Sequence, residues 1–146
     1  MKITLILIAK TSDSRLESLI NDYILRLKHY VPFETKVLEA KGKDKEGELI
    51  LKAVSPSADV VLLDERGPQY RSIEFADYLQ KKMSAGRDLF FVVGGPFGFS
   101  QEVYDRANGM ISLSKMTFSH QMIRLVFTEQ VYRACTIIRG EPYHHE

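Results

Sequence analysis

Between Leu113 and Arg124 a polar loop feeds directly into a helix that is apolar nearly all round. From Met122 onward the apolar positions are Met122, Ile123, Leu125, Val126, Phe127, Val131, Ala134, Cys135, Ile137 and Ile138, with Tyr132 partly so, and no wide polar face is left. A helix of this kind is buried on more than one side. Its cover is either a sheet and a second helix or a sheet and a partner subunit, and the subunit is the working expectation.

The rest of the chain is ordinary globular material. Its 146 residues suit one domain, 1–146, with a single core that needs no staples. The apolar opening, Ile3 to Ala9, is too short to span a bilayer and no small-residue cleavage pattern follows it, so a cytoplasmic protein is expected. The lone cysteine, Cys135, sits in the apolar helix and reads as a packed thiol. A formal net charge of only +1 argues against gripping nucleic acid by bulk electrostatics. A local patch remains open to a shaped RNA, and Lys115, Arg124, Arg133 and Arg139 lie close in sequence. They read equally well as solvated helix charges.

Residues 2 to 9 are β-branched and leucine-rich without alternation, as in a strand covered on both faces. Ser14 with Glu17 offers a capping box for a helix carrying Leu16, Leu19, Ile20, Tyr23, Ile24 and Leu27. Pro32 closes it, Phe33 to Leu38 predicts a second strand, and the charged stretch Lys41 to Glu48 reads as a mobile loop before a short helix near 48–53. Val60 to Leu63 and Leu89 to Val93 predict buried strands, Ser72 and Ser100 cap further helices, and Met110 to Leu113 predicts a fifth strand. Strands alternating with helices imply an α/β domain with a largely parallel sheet. Ligands of such sheets lie outside the carboxyl ends of the strands.

Three loops at those ends stand out. Gly94-Gly95-Pro96-Phe97-Gly98 follows an apolar strand, yet it has neither the phosphate-loop ending nor dinucleotide-fingerprint spacing. A tight turn without any ligand accounts for many such runs. Leu63-Asp64-Glu65 ends the third strand, where an acid would accept from ribose hydroxyls or simply face water. Leu113 to Phe118 supplies backbone donors and acceptors able to read a flat heterocycle, with Leu63, Leu113, Met116 and Phe118 as apolar walls. For His120 no second ligand stands at helical spacing, so no metal is expected.

These residues carry a resemblance. Gly94-Gly95 with Gly98, the run Leu113 to Phe118 with His120, Gln121, Met122 and Arg124, then Glu129-Gln130 with Tyr132-Arg133-Ala134, and the ending Arg139 to His144 resemble the SPOUT-class methyltransferases. Within that class the chain is similar to the RlmH family of large-subunit pseudouridine methyltransferases, from the opening strand to the tail. The resemblance implies a parallel α/β sheet with a C-terminal deep trefoil knot, a rare exception to unknotted topology. It also implies a homodimer that transfers a methyl group from S-adenosylmethionine to N3 of a pseudouridine in 23S rRNA within the assembled 70S ribosome. Neither DNA nor a membrane is an expected partner.

By motif, the cofactor contacts would be Leu63, Gly94, Leu113, Ser114, Lys115, Met116, Thr117 and Phe118. The N3 proton must leave, so a base or an anion-stabilising cation is needed near it. Candidates are His144, Arg124 and His120, and the expected RNA contacts are Tyr143, His144, His145 and Arg133. Glu129 is placed to pair with Arg133 one turn on, or with an arginine of the second subunit. Two departures bear on RNA: His145 stands where the family often has Lys or Arg, and Pro68 where a lysine is common. The competing readings are a non-catalytic ribosome- or nucleotide-binding module and a flavodoxin-like domain.

Overall fold

Strands and helices alternate from end to end: β1 (Ile3–Ile8), α1 (Ser14–Leu27), β2 (Phe33–Leu38), α2 (Lys43–Ala53), β3 (Asp59–Leu63), α3 (Ser72–Ala85), β4 (Leu89–Val93), α4 (Gln101–Arg106), β5 (Gly109–Ile111) and α5 (Met122–Ile138). The computed structural model describes residues 1–145. The strands form one parallel sheet in the order β2-β1-β4-β3-β5, with Ile3 opposite both Phe33 and Leu89, and Asp59 opposite Leu89. A flavodoxin-like domain has the order 2-1-3-4-5, so the strand order removes that reading.

Every residue of β1 and β3 is buried, Thr4 and Asp59 included, as fits strands that are apolar on both faces. Alternate side chains feed two cores. Ile3, Leu5 and Leu7 join Val61, Phe91 and Val93 beneath Leu27 of α1, Phe75 and Leu79 of α3, and Phe127, Val131 and Cys135 of α5. Ile6 and Ile8 join Leu62 and Val92 beneath Ile50 of α2 and Val103 of α4. Helix α5 lies between α1 and α3, its Phe127 ring edge-on to Phe91 at 4.8 Å. Sheet and two helices thus cover its inner side. Its outer stripe, Leu125, Val126 and Ile137, is half-buried, and Met122 is exposed. Cys135 is buried, and that burial raises its thiol pKa to about 11.

Several local expectations are corrected. Asp13, not Ser14, caps α1, its Oδ1 accepting from the Arg15 N–H at 2.8 Å. A carboxylate one residue upstream outcompetes a hydroxyl for the end of the helix dipole. The N-cap of α3 is Arg71, whose N–H donates to Glu74 at 2.7 Å, while Ser72 instead donates its hydroxyl to Gln130 on α5 at 2.9 Å. Ser100 does cap α4, accepting from the Val103 N–H. The charged stretch is no loop beyond Gly42: α2 begins at Lys43 and buries Glu46, Gly47 and Ile50 at a spacing of one, then three. Gly47 looks like a breaker but is a contact point, because a Cβ there would stand 2.4 Å from the Ser100 hydroxyl. Strand β5 ends at Ile111, two residues early, and Ser112 then bridges to Gln69. Helix α5 starts at Met122, whose N–H donates to the Ser119 hydroxyl at 3.0 Å.

Candidate active site

The three loops singled out above meet over the carboxyl ends of β4, β3 and β5. Together they enclose a cavity of about 570 Å³, within the range of small-molecule sites. The strand ends Leu63, Val93 and Ile111 form its floor. Of the expected cofactor contacts, Leu63, Gly94, Leu113, Ser114, Met116, Thr117 and Phe118 line it, and so does His120. Lys115 does not: it sits between two lining residues and turns its side chain to solvent.

Hydrogen bonds on both sides shape the loop after β5. Ser112 donates its N–H to Pro68 O at 3.0 Å and its hydroxyl to Ser114 O at 2.9 Å, and the Ser114 hydroxyl accepts from the Met116 N–H at 2.9 Å. At the far end Gln121 accepts from the Ser12 N–H at 2.9 Å and donates to Lys10 O at 3.2 Å. The loop therefore bridges from the β5 edge to the exit of β1, across the strand ends between them. Arg124 fixes the crossing. Its guanidinium donates to Ile8 O at 2.6 Å, Ala9 O at 2.9 Å, Thr11 Oγ1 at 3.0 Å and His120 O at 3.0 Å, with none of its surface exposed. Ala9 holds a left-handed φ of 65° under this clamp, a conformation that costs a non-glycine residue free energy. Arg124 therefore does not project towards an incoming substrate, and it leaves the basic patch. Burial lowers its pKa, and the carbonyl oxygens supply its hydrogen bonds.

On the β3 side, Asp64 accepts a short hydrogen bond from the Tyr104 hydroxyl and further ones from the Arg66 N–H at 2.9 Å and Nε at 3.4 Å. Arg66 also lies over the Tyr104 ring at 4.4 Å. Burial pushes the Asp64 carboxyl up, but these donors outweigh it and hold the group below the usual carboxylate range. Tyr104 is raised, by burial first and by Asp64 second. Sequence reading missed Tyr104 because it lies 40 positions from its partner on an unremarkable short helix.

The glycine turn has a role other than open space for a ligand. A Cβ on Gly94 would lie 3.0 Å from the ring of buried Phe99, which lies behind the turn. Gly94→Val is therefore expected to displace Phe99 and with it the turn. We expect a loss of about 1–3 kcal/mol in urea unfolding, the usual cost of overpacking, with cofactor affinity falling at least tenfold by calorimetry. Unchanged affinity would remove Gly94 from the contact set.

The tail assembles elsewhere. Glu129 accepts from Arg133 Nη2 at 2.6 Å and from the Tyr143 hydroxyl at 2.9 Å, and Arg133 Nη1 lies 3.1 Å from His144 Nδ1. The in-chain Glu129–Arg133 pair is thus present. Arg133 also stacks on Tyr143, Tyr143 packs edge-on against Tyr132, and Tyr30 donates to Glu141 at 2.6 Å. That bond, aided by burial, raises Tyr30 to about 12. Tyr143, His144 and Arg133 are together, but none of them lines the cavity of their own chain, and His145 is exposed. Among the described residues no cluster is suited to a metal ion, and no helix is long and apolar enough to cross a membrane.

Known proteins are similar to this chain in sequence along its whole length. Ribosomal RNA large subunit methyltransferase H of Parabacteroides distasonis is 55% identical over 157 aligned positions, covering 100% of both chains. The proteins of the same name from Bacteroides thetaiotaomicron, 53% identical with 100% of both covered, and Christiangramia forsetii, 54% identical with 99% of both covered, are similar throughout. The family model described as a predicted SPOUT methyltransferase matches residues 1–144. The chain belongs to the SPOUT methyltransferase family, whose fold implies the C-terminal trefoil knot.

Proposed function

We propose that this protein is an S-adenosylmethionine-dependent methyltransferase that acts on large-subunit ribosomal RNA, at N3 of a pseudouridine in 23S rRNA of the assembled 70S ribosome. The observation that supports this reading best is the meeting of three loops, distant in sequence, in one cavity of about 570 Å³. The relatives' name points to the same class of substrate. The cavity residues fit the donor: apolar Leu63, Leu113 and Phe118 suit the faces of an adenine, and the backbone groups of 113–118 suit its edge. Bound there, S-adenosylmethionine supplies an electrophilic methyl group on a sulfonium.

The chain's own task is then alignment and proton management. Holding a ring nitrogen in line with the methyl at about 3–3.5 Å supplies much of the rate. His120 lines the cavity and is our first candidate for receiving the N3 proton. His144, held on Arg133, is the second, and it requires a tail from outside this chain's own cavity. We propose a homodimer on those grounds, and because the outer stripe of α5 is apolar and only half covered. Exposed Lys115 and His145, together with Tyr143, His144 and Arg133, form the proposed RNA contacts, in a cytoplasmic enzyme.

Mass mapping of ribosomal RNA from cells with and without the gene tests this. The expected result is one pseudouridine of 23S rRNA lighter by a single methyl in the deletion strain, restored by the wild-type gene. An unchanged rRNA mass map, with the purified protein still binding S-adenosylmethionine, would leave the non-catalytic module instead.

A further inference from the structure

Glu46 lies in the N-terminal half of α2 with only 4% of its surface exposed. Its carboxylate makes no hydrogen bond or ion pair with the described residues. The neighbouring Lys45 pairs with Glu48 instead, at 3.6 Å. What Glu46 does meet is the glycine turn: a Cβ on Gly95 would stand 2.6 Å from its Oε1 and 2.9 Å from its Oε2. Gly95 also lines the cavity. A single glycine, with no side chain on it, therefore separates a nearly buried acid from the ligand space.

Glu46 is nearly buried, and its oxygens, without a protein partner, keep only slight contact with water; a cation brought close to such a carboxylate recovers part of the cost of its burial. The Arg66 guanidinium in the lining is already held by Asp64 and Tyr104. With water displaced by a ligand, attraction across a few ångströms of protein is far stronger than in bulk. We infer that Glu46 selects the charge state of the bound cofactor, favouring a ligand with a central positive charge over its neutral counterpart. This rests on the proposed S-adenosylmethionine site. There the charged form is the sulfonium donor and the neutral form is the thioether, S-adenosylhomocysteine, left after the methyl has gone. Transfer of the methyl to the RNA nitrogen removes the positive charge from the ligand, so the same carboxylate that helps to hold the donor ceases to hold the product.

Calorimetric titration of the full-length protein with each compound tests the inference. The variants are Glu46→Gln, which keeps shape and loses charge, and Glu46→Met, an apolar replacement that serves if the amide is not tolerated; thermal melting confirms that each is folded. The expected result is a loss of about tenfold in affinity for S-adenosylmethionine, about 1.4 kcal/mol, with affinity for S-adenosylhomocysteine changed less than about threefold. Equal losses for both compounds, or none for either, would overturn the inference while leaving the cofactor site intact. A wild-type protein that binds neither compound would overturn the cofactor assignment itself.

Discussion

Arg124→Met unfolds at markedly lower urea concentration than the wild type, with a loss of about 3–5 kcal/mol. The estimate follows from what the guanidinium holds. Four acceptors, Ile8 O, Ala9 O, Thr11 Oγ1 and His120 O, lose their donor at once. A buried acceptor left unpaired costs about 1–3 kcal/mol, and neighbouring losses do not add fully. Methionine fills a similar volume, so the deficit reports hydrogen bonding more than a cavity. Arg124→Lys is expected to recover little, since one ammonium cannot reproduce the planar fork that spans two chain segments. Calorimetry on the surviving folded protein should show weakened cofactor binding, because His120 and the loop before it lose their anchor. A wild-type urea midpoint in Arg124→Met would mean that the carbonyl groups find other partners, and the clamp would lose its meaning.

The second large effect is expected at Gly67. A Cβ there would meet Ile111 N at 2.8 Å, Met110 C at 2.8 Å and Met110 Cβ at 2.9 Å. Two of these are backbone atoms of β5, which cannot swing aside as a side chain can. Gly67→Ala therefore pushes the turn after β3 away from the edge strand, at about 2–3 kcal/mol by the usual cost of overpacking. The Ser112 to Pro68 hydrogen bond lies in the path of that movement. Cofactor affinity should fall along with stability, and amide exchange should quicken first at Ile111 and Ser112. Full retention of both would show that the turn has room to relax.

Much of this was legible in the order of residues. The unbroken apolar runs of β1, β3 and β4 state that both faces are covered, and the punctuation after them locates the loops at their carboxyl ends. The convergence of Leu63, Gly94 and Leu113 to Phe118 follows once the strands are parallel. Other features had no local signal. Lys43 to Glu48 reads as solvated because its charges hide a buried pair, Glu46 and Gly47, whose partners lie some 50 residues away. Arg124 passes for a surface cation because basic residues are usually exposed; only its distant carbonyl partners show otherwise. Tyr104 and Gln121 act through contacts that periodicity does not encode. Element starts were misplaced by a residue or so wherever two capping groups stood side by side, as at Asp13 and Ser14.

The hydrogen bonds from Gln121 and Arg124 to the exit of β1 join positions 109 to 116 apart in the chain. During synthesis the first strand waits for α5, the last of the described helices, and the roof over the ligand space is fastened only when both are present. A sheet formed without α5 would still lack a finished pocket, and contacts of such long sequence separation slow folding. A ribosome-bound nascent chain should therefore acquire ligand binding abruptly, once α5 has emerged, rather than by degrees.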